Sequence, residues 1–258
     1  MSRARAVGYH FTLSVVVAVA LASVVFFLWF PASLRDLAGG QRLFWTLVCA
    51  DVVCGPLLTW VLFKSHKTKL ALGIDVALIA IIQLLALGYG LFSLASARPL
   101  AFVFEVDRFR VVSYADITES DLRYLPSWAK PWHLQPPRLI GLRMPTSADE
   151  RFESFEIALQ GVEVSQRPQH WQDYSLSADE VRGRAKPLTA LRKQRPDKAE
   201  VIDRAVGEAM SNFRLGETNN PDELRWLPLV ARNTLEWTVF LDPYTLRIRA
   251  LAPIDGFL

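Results

Sequence analysis

Charged residues and cysteines are scarce in this 258-residue chain. Only 21% of its residues are charged and two are cysteines, whereas 51% are hydrophobic. Both cysteines come before residue 55, which excludes a disulfide framework from the remaining two hundred residues. No run of lysine and arginine interleaved with aromatic residues occurs, so the net charge of +3 does not indicate nucleic-acid binding. Eight Trp, six Tyr and fifteen Phe are too many for a disordered tail.

The charges that are present are distributed unevenly. Residues 1–96 carry seven Lys or Arg and three acidic residues, whereas residues 97–258 carry 22 basic and 23 acidic residues. This change in composition excludes a plain water-soluble enzyme and predicts two domains. The first is a membrane domain of residues 1–96, and the second is an exported domain of residues 97–258.

Three long apolar stretches lie in the first domain, at about residues 11–30, 43–63 and 70–94. Each has the roughly 20 residues that a helix needs to cross a hydrocarbon core of about 30 Å. The first stretch also resembles a cleaved signal peptide, because Arg3 and Arg5 precede it and residues 20–22 read Ala-Leu-Ala. Its apolar run continues well beyond that point, so we expect an uncut transmembrane helix.

The basic residues in the short loops predict the orientation in the membrane. The N-terminal tail and the second loop together hold five Lys or Arg, and the first loop holds two. The positive-inside rule then places the N-terminus and the second loop in the cytoplasm. Because the number of spans is odd, the second domain lies on the other side, which is the periplasm if the membrane is a bacterial inner (cytoplasmic) membrane.

A few polar side chains interrupt the second and third spans. An ionisable group at membrane depth normally faces protein or a cavity and not lipid. At 1.5 Å per residue, Asp51 and Gln83 lie about 12 and 16 Å below the same predicted membrane surface. We therefore expect a hydrogen bond between them. Asp75 lies near the opposite surface, where Lys67 or Lys69 can reach it.

Helical phase places the polar and small residues of the third span on one side, and a similar group surrounds Pro56 in the second span. Pro56 should kink its helix or free a backbone carbonyl. This face either joins the three helices to one another, as such residues usually do, or binds the membrane helix of another protein. An ion pathway is a lesser alternative, because the spans show no repeat. The residues of the face are Asp51, Gly55, Pro56, Asp75, Gln83, Ala86 and Gly90.

The second domain alternates between strand and helix patterns, which predicts an α+β fold behind three transmembrane α-helices. The hairpin prediction rests on the turn sequence Asp242-Pro243-Tyr244-Thr245. The predicted elements are strands at 101–114 and 138–144, helices at 147–160 and 197–214, and a hairpin of 236–242 with 246–252.

Catalytic chemistry is not visible in this domain. His133 and His170 lack a metal-ligand spacing, and each neighbours a tryptophan, which favours ordinary surface or loop packing. There is no cysteine nucleophile, and no glycine-rich phosphate loop follows a strand. Asp107 and Arg108 look like a local ion pair on an exposed strand face. We expect no enzymatic activity, no metal or other cofactor and no small-molecule substrate.

Several short motifs follow one another along the chain in a characteristic order. In the membrane domain they are the run from Asp51 to Thr59 around Gly55-Pro56, then the lysines that begin with Lys64, then Asp75, Gln83, Ala86-Leu87 and Tyr89-Gly90. At the start of the second domain come Ala97-Arg98-Pro99 and Asp107-Arg108-Phe109. Near its end, Trp226-Leu227-Pro228-Leu229 precedes the hairpin at Asp242. Together with the three-span layout, this order resembles the type IV pilin accessory proteins of the TfpX/TfpZ family. The resemblance covers most of the chain.

The resemblance implies an inner-membrane accessory protein, chaperone-like and not an enzyme, that stabilises one type IV pilin or promotes its assembly into pili. A pilin in the membrane has an apolar N-terminal helix and a globular head. We expect the polar helical face to hold the pilin helix and the periplasmic domain to contact the head. The expected partners are a major or minor type IV pilin and the lipid bilayer. The alternatives are a membrane-anchored periplasmic sensor or envelope scaffold without a pilin client and, third, a membrane enzyme.

Overall fold

The computed structural model describes residues 3–30, 34–62 and 68–257, and the chain divides into two compact units, Met1–Arg98 and Pro99–Leu258. The first unit is helical and the second is built on a β-sheet. The predicted fold class, transmembrane helices followed by an α+β domain, is confirmed. The division lies two residues after the boundary expected from composition.

Long helices dominate the first unit. They are α1 (Arg3–Val24), which continues as a π-helical turn (Val25–Trp29), the short α2 (Leu34–Leu37), α3 (Gly40–Leu62) and α4 (Lys69–Ala97). Among the described residues, three segments are long and apolar enough to cross a membrane: Ala4–Trp29, Gly40–Leu62 and Leu70–Ala97. The first begins seven residues before the predicted span. Backbone hydrogen bonding sets where a helix starts, whereas hydropathy marks only its apolar part.

The three long helices pack in part through aromatic side chains. At one end of the unit Phe44 of α3 is buried, and its ring lies 4.8 Å from that of Phe26 in an edge-on geometry. Gly40 leaves room for the ring of Phe30, because a Cβ there would lie 2.5 Å from the ring. Leu94 and Ala95 of α4 belong to the same buried cluster. This cluster brings all three helices together.

The second unit is organised around one sheet, which has eight strands among the described residues. The strand order is β4-β3-β1-β2-β6-β7-β8, and β5 pairs with β6. Pairs β1–β3 and β2–β6 are parallel and the others are antiparallel. The strands are β1 (Pro99–Glu105), β2 (Arg108–Ser113), β3 (Arg138–Leu142), β4 (Trp171–Asp173), β5 (Lys186–Pro187), β6 (Arg225–Ala231), β7 (Thr234–Leu241) and β8 (Ile248–Ala252).

Four α-helices accompany the sheet: α5 (Ala148–Leu159), α6 (Ala178–Arg184), α7 (Leu188–Gln194) and α8 (Ala199–Ser211). The apolar face of α8, with Ile202 and Ala205, packs on Trp226 and Phe240 of the sheet. The predicted helices at 147–160 and 197–214 and the predicted C-terminal hairpin are confirmed, with ends that differ by a few residues.

The single strand predicted at 101–114 is wrong, because the segment is a β1–β2 hairpin. Asp107 N–H donates a hydrogen bond to Glu105 O at 2.7 Å, and Val106 between them has a φ of +59°. This tight turn lacks the Gly or Asn that normally marks one, so the sequence pattern continued through it. A β-branched residue at positive φ is strained.

The predicted ion pair between Asp107 and Arg108 is also wrong. Asp107 lies in the turn, and the Arg108 guanidinium contacts Glu105 and Glu163 at 3.5 and 3.3 Å. Glu105 lies directly opposite Arg108 across the β1–β2 pair, and Glu163 approaches from the turn at Val164–Gln166, so these carboxylates and not that of Asp107 reach the guanidinium.

Candidate functional site

A polar cluster lies inside the helical unit, at depths where lipid would otherwise be the neighbour. Gln83 of α4 donates a hydrogen bond from Nε2 to Asp51 Oδ1 of α3 at 3.4 Å, and both residues are half-buried. The hydrogen bond expected from depth and helical phase is confirmed. It ties α3 to α4 and keeps the carboxyl of Asp51 from facing hydrocarbon without a partner.

His10 of α1 is a third member of this cluster and was missed from the sequence. Its Nδ1 lies 2.5 Å from Oγ1 of Thr59, a buried residue of α3. The apolar run begins at residue 11, directly after His10, so the sequence pattern assigns His10 to the N-terminal tail. The one available signal was its position directly before that run, because the 20 residues from Phe11 to Phe30 already suffice for a span.

The Thr59 hydroxyl has a second partner besides His10. Its Oγ1 lies 3.1 Å from the Gly55 carbonyl oxygen, to which it can donate its proton. The other ring nitrogen of His10, Nε2, lies on the side of Gly55 and Gln83, at the centre of the cluster.

Two glycines allow the helices to approach one another. A Cβ on Gly55 would lie 2.0 Å from Gln83 Nε2 and 2.9 Å from His10 Nε2. A Cβ on Gly90 of α4 would lie 2.3 Å from a methyl of Leu47 on α3. Small residues at such positions let transmembrane helices pack closely.

A cavity of about 290 Å³ opens beside the polar cluster. Its walls come from two helices that both pack on α3, with Thr59 of α3 between them. The lining residues are Ala6, His10 and Leu13 of α1, Thr59, and Val76, Ile79, Ala80 and Gln83 of α4. Along each wall the lining extends over eight residues, 6–13 and 76–83, or about 10 Å of helix. The cavity therefore forms a groove about two helical turns long.

The structure divides the polar face predicted from the sequence. Asp51, Gly55, Pro56, Gln83 and Gly90 lie at or near contacts within the helical unit, and α3 continues through Pro56 as one helix. Asp75 is half-buried, whereas Ala86 is exposed. Five of the seven residues of the predicted face thus join the protein's own helices.

The other residues named from the resemblance are scattered. Tyr89 is exposed on α4, Arg98 is buried directly after the end of α4, and Pro99 begins β1. Lys64 lies outside the described residues. The expected contact of Asp75 with Lys67 or Lys69 likewise falls on side chains that are not described.

The second unit has a half-open cleft of about 450 Å³ at the end of β1, lined in part by Phe104, Val106, Leu142 and Met144. Glu105 lies at its wall, and burial, followed by the neighbouring Glu163, raises the pKa of this carboxyl. Its oxygens accept hydrogen bonds from the backbone N–H and the hydroxyl of Ser165 at 3.4 and 3.2 Å.

The two histidines of this unit lie in ordinary packing surroundings. His170 is 3% exposed and ends a 3-10 turn, Pro168–His170, so its side chain is packed within a loop, which is one of the two predicted settings. His133 is half-buried. Among residues 3–30, 34–62 and 68–257, no group of three or more His, Cys, Asp or Glu side chains is arranged to hold a metal ion.

The fold and the cluster define a protein with three membrane-spanning-capable helices and a separate α+β domain. A family model described as fimbrial assembly protein FimB matches residues 1–39. The chain is 38% identical over 252 residues to the fimbrial assembly protein of serogroup E1 from Dichelobacter nodosus, covering 97% of this chain and 94% of that protein. The serogroup I protein from the same organism is 36% identical over 253 residues, with the same coverage.

A third relative, the fimbrial assembly protein of Dichelobacter nodosus serogroups C1 and C2, is 43% identical over 115 residues, which is 45% of this chain and 88% of that protein. No solved structure matches the chain. With two relatives above 30% identity over almost their full length, the chain belongs to the family of fimbrial assembly proteins.

Proposed function

We propose that this fimbrial assembly protein is a type IV pilin accessory protein of the TfpX/TfpZ kind, which acts as a chaperone for one pilin. It resides in a bacterial inner membrane, with its N-terminus in the cytoplasm and its α+β domain in the periplasm. It works by binding and not by catalysis. The observation that carries this proposal is the near full-length similarity to two fimbrial assembly proteins.

The groove between α1 and α4 supports a role in holding a client helix. Its wall includes small and apolar residues such as Ala80, which is exposed, while His10, Thr59 and Gln83 supply polar atoms. In a bilayer, polar atoms next to an open groove are better covered by protein than by lipid tails. The apolar N-terminal helix of a pilin has the shape and chemistry to cover them.

Binding in the groove would act on the pilin before assembly. Helices associate in membranes through close packing and interhelical hydrogen bonds, because lipid tails are as apolar as the side chains they would replace. A short groove with a few polar groups therefore gives modest, reversible binding. Such binding suits a helper that protects a pilin and later releases it.

The experiment that tests the function removes the gene from the bacterium and measures total pilin and surface pili separately. We expect surface pili to be lost and total membrane pilin to fall, with both restored by the full chain on a plasmid. Normal piliation with normal pilin in the deletion strain would contradict the proposal. Loss of surface pili with unchanged total pilin would show that the protein delivers pilin to the assembly machinery and does not protect it from proteolysis.

Purification of the full chain in mild detergent distinguishes this function from that of a periplasmic sensor or envelope scaffold. A pilin should co-purify with the wild-type protein, and less should co-purify with the Gln83→Leu variant. This variant removes the hydrogen bond to Asp51 and one polar group of the groove. A complex without any pilin would favour the sensor or scaffold.

A further inference from the structure

Helix α5 of the second unit carries its large apolar side chains on the side that faces solvent. Phe152, Phe155 and Leu159 share one face, and their exposed fractions are 64%, 62% and 74%. The opposite face, turned to the domain, carries Ser154, which is 9% exposed, and the half-buried Ile157. This is the reverse of the arrangement that a helix of a globular domain normally shows.

The first turn of α5 is fixed firmly to the domain. Glu150 receives two hydrogen bonds from the Arg143 guanidinium, at 3.1 and 3.3 Å, and one from Thr146 N–H at 2.9 Å. The hydroxyl of Ser147 caps the helix by accepting from Glu150 N–H. The contacts to Arg143 and Thr146 lower the pKa of Glu150 to about 2, so the carboxylate stays charged at neutral pH.

The segment that follows α5 returns to the same end of the sheet. The chain turns at Gly161, whose φ is +84°, and Glu163 then contacts Arg110 at 2.5 Å. Ser165 is tied to Glu105, the last residue of β1. Both ends of α5 are therefore anchored, and the helix presents a preorganised apolar stripe. A helix of 12 residues would be marginal in isolation, so these anchors are what maintain it.

The charges around the stripe indicate what kind of surface can cover it. At 100° per residue, Asp149 and Glu156 border the stripe on one side and Arg151 borders it on the other, and all three are exposed. By sequence α5 contains four acidic residues and one arginine. Helices that lie on membranes are instead rich in Lys and Arg, and anionic lipid headgroups repel acidic residues. Charge complementarity thus favours a protein surface with basic residues at its rim.

We infer that α5 docks its stripe of Phe152, Phe155 and Leu159 into an apolar groove, bordered by Lys or Arg, on the head of the pilin. The spacing i, i+3, i+7 is that of helices that bind in grooves of partner proteins. This inference rests on the proposed function, because it names the second contact between the same two proteins. Arg143 and Glu150 act as positioning residues, since they hold the helix without touching the partner.

The test places a photo-crosslinking amino acid at position 155 of the full chain, in cells that produce the type IV pilin of the same bacterium. Position 215 serves as the control, because Leu215 is 99% exposed and lies outside the stripe. We expect a crosslink to pilin from position 155 and none from position 215. A crosslink from position 155 to lipid, to a second copy of this chain or to nothing would overturn the inference.

A second measurement uses the paired substitutions Phe152→Ser and Phe155→Ser, with Leu215→Ser as the matched control. Loss of two aromatic anchors should lower the pilin that co-purifies by about tenfold or more. The single substitution Glu156→Lys should also lower the amount of pilin that co-purifies. This effect should be larger at low salt than at high salt, where charges are screened. Unchanged co-purification with the serine pair would contradict the inference.

The failure of this inference is distinguishable from the failure of the proposed function. If the gene deletion abolishes surface pili while α5 neither crosslinks to pilin nor affects its recovery, α5 is not the contact and the function stands. If the deletion leaves pilin and pili normal, the proposed function itself is wrong.

Discussion

Gly55 on α3 faces Gln83 on α4 so closely that a Cβ on the glycine would lie 2.0 Å from the Gln83 amide nitrogen. The same Cβ would also lie 2.9 Å from Nε2 of the His10 ring on α1. Three helices therefore meet at one residue without a side chain.

We predict that Gly55→Ala destabilises the helical unit by about 1 to 3 kcal/mol, as overpacking usually does. The methyl group would displace Gln83 and break its hydrogen bond to Asp51. Gly73→Ala on α4 is the control, because nothing lies within 4 Å of the position where its Cβ would be. Thermal unfolding of the detergent-purified protein measures both. Equal midpoints for the two variants would show that α3 and α4 do not approach in this way.

Filling the groove should block the client without disturbing the helices. Ala80 lines the cavity and is exposed, so Ala80→Phe places a ring where the pilin helix is proposed to lie. Ala86→Phe, on the same helix and also exposed, is the matched comparison. We expect membrane pilin to fall with Ala80→Phe alone, by immunoblot at equal levels of the accessory protein. If Ala86→Phe alone lowered membrane pilin, the client helix would lie on the side of α4 that carries Ala86, as the sequence predicted.

Asp242 is a buried carboxylate on which the C-terminal hairpin depends. It accepts hydrogen bonds from the backbone N–H groups of Thr218, Tyr244 and Thr245 at 2.8 to 3.0 Å and contacts the buried Arg249 guanidinium at 3.4 Å. Breaking such a buried pair typically costs 3 to 5 kcal/mol. We expect Asp242→Asn to lower the free energy of unfolding by about 3 kcal/mol, because Glu217 still faces Arg249.

The effect of Asp242 should depend on pH. Burial raises the pKa of this carboxyl, but the hydrogen bonds from Thr245, Thr218 and Tyr244 outweigh burial and hold it below the ordinary value. Its contribution is therefore complete above the pKa of the unfolded chain, about 3.9, and is lost as the pH falls through the lower folded pKa. The advantage of the wild type over Asp242→Asn should shrink below about pH 4. Exposed Asp222→Asn is the control and should show no such change.

The topology is tested with reporters fused after residue 258 and, in separate strains, inserted between α3 and α4, at residues 63–67. Alkaline phosphatase should be active at the C-terminus and inactive in the loop, because it folds only outside the cytoplasm. Green fluorescent protein should give the opposite pattern. Fluorescence at the C-terminus would reverse the proposed orientation and place the α+β domain in the cytoplasm.

The intramembrane pair was predictable because it follows from helix geometry alone. Asp51 and Gln83 lie at similar depths on neighbouring spans, and a buried polar group needs a partner. His10 was not predictable in the same way. Its helix begins before the apolar run does, and hydropathy reports the cost of leaving water but not the position of a backbone hydrogen bond.

In the second unit, periodicity predicted which residues share a face but not what covers that face. The spacing correctly predicts that Phe152, Phe155 and Leu159 share one face of a helix. Such a spacing, however, normally indicates a face that packs against a hydrophobic core. The β1–β2 hairpin was missed for a related reason. Its turn uses Val106 at positive φ, a conformation that the residue type disfavours and that only the surrounding sheet maintains.

The sequence by itself determined the three long apolar helices that the structure describes, the α+β character of the second unit and, through its similarity to two relatives, membership of the family of fimbrial assembly proteins. These depend on local composition, on periodicity and on residue identity along the chain. The tertiary structure decided that Gly55 joins three helices, that a groove remains open between α1 and α4, and that the aromatic side of α5 faces outward. Such properties depend on which surfaces are already covered, and coverage is set by contacts between segments distant in the chain.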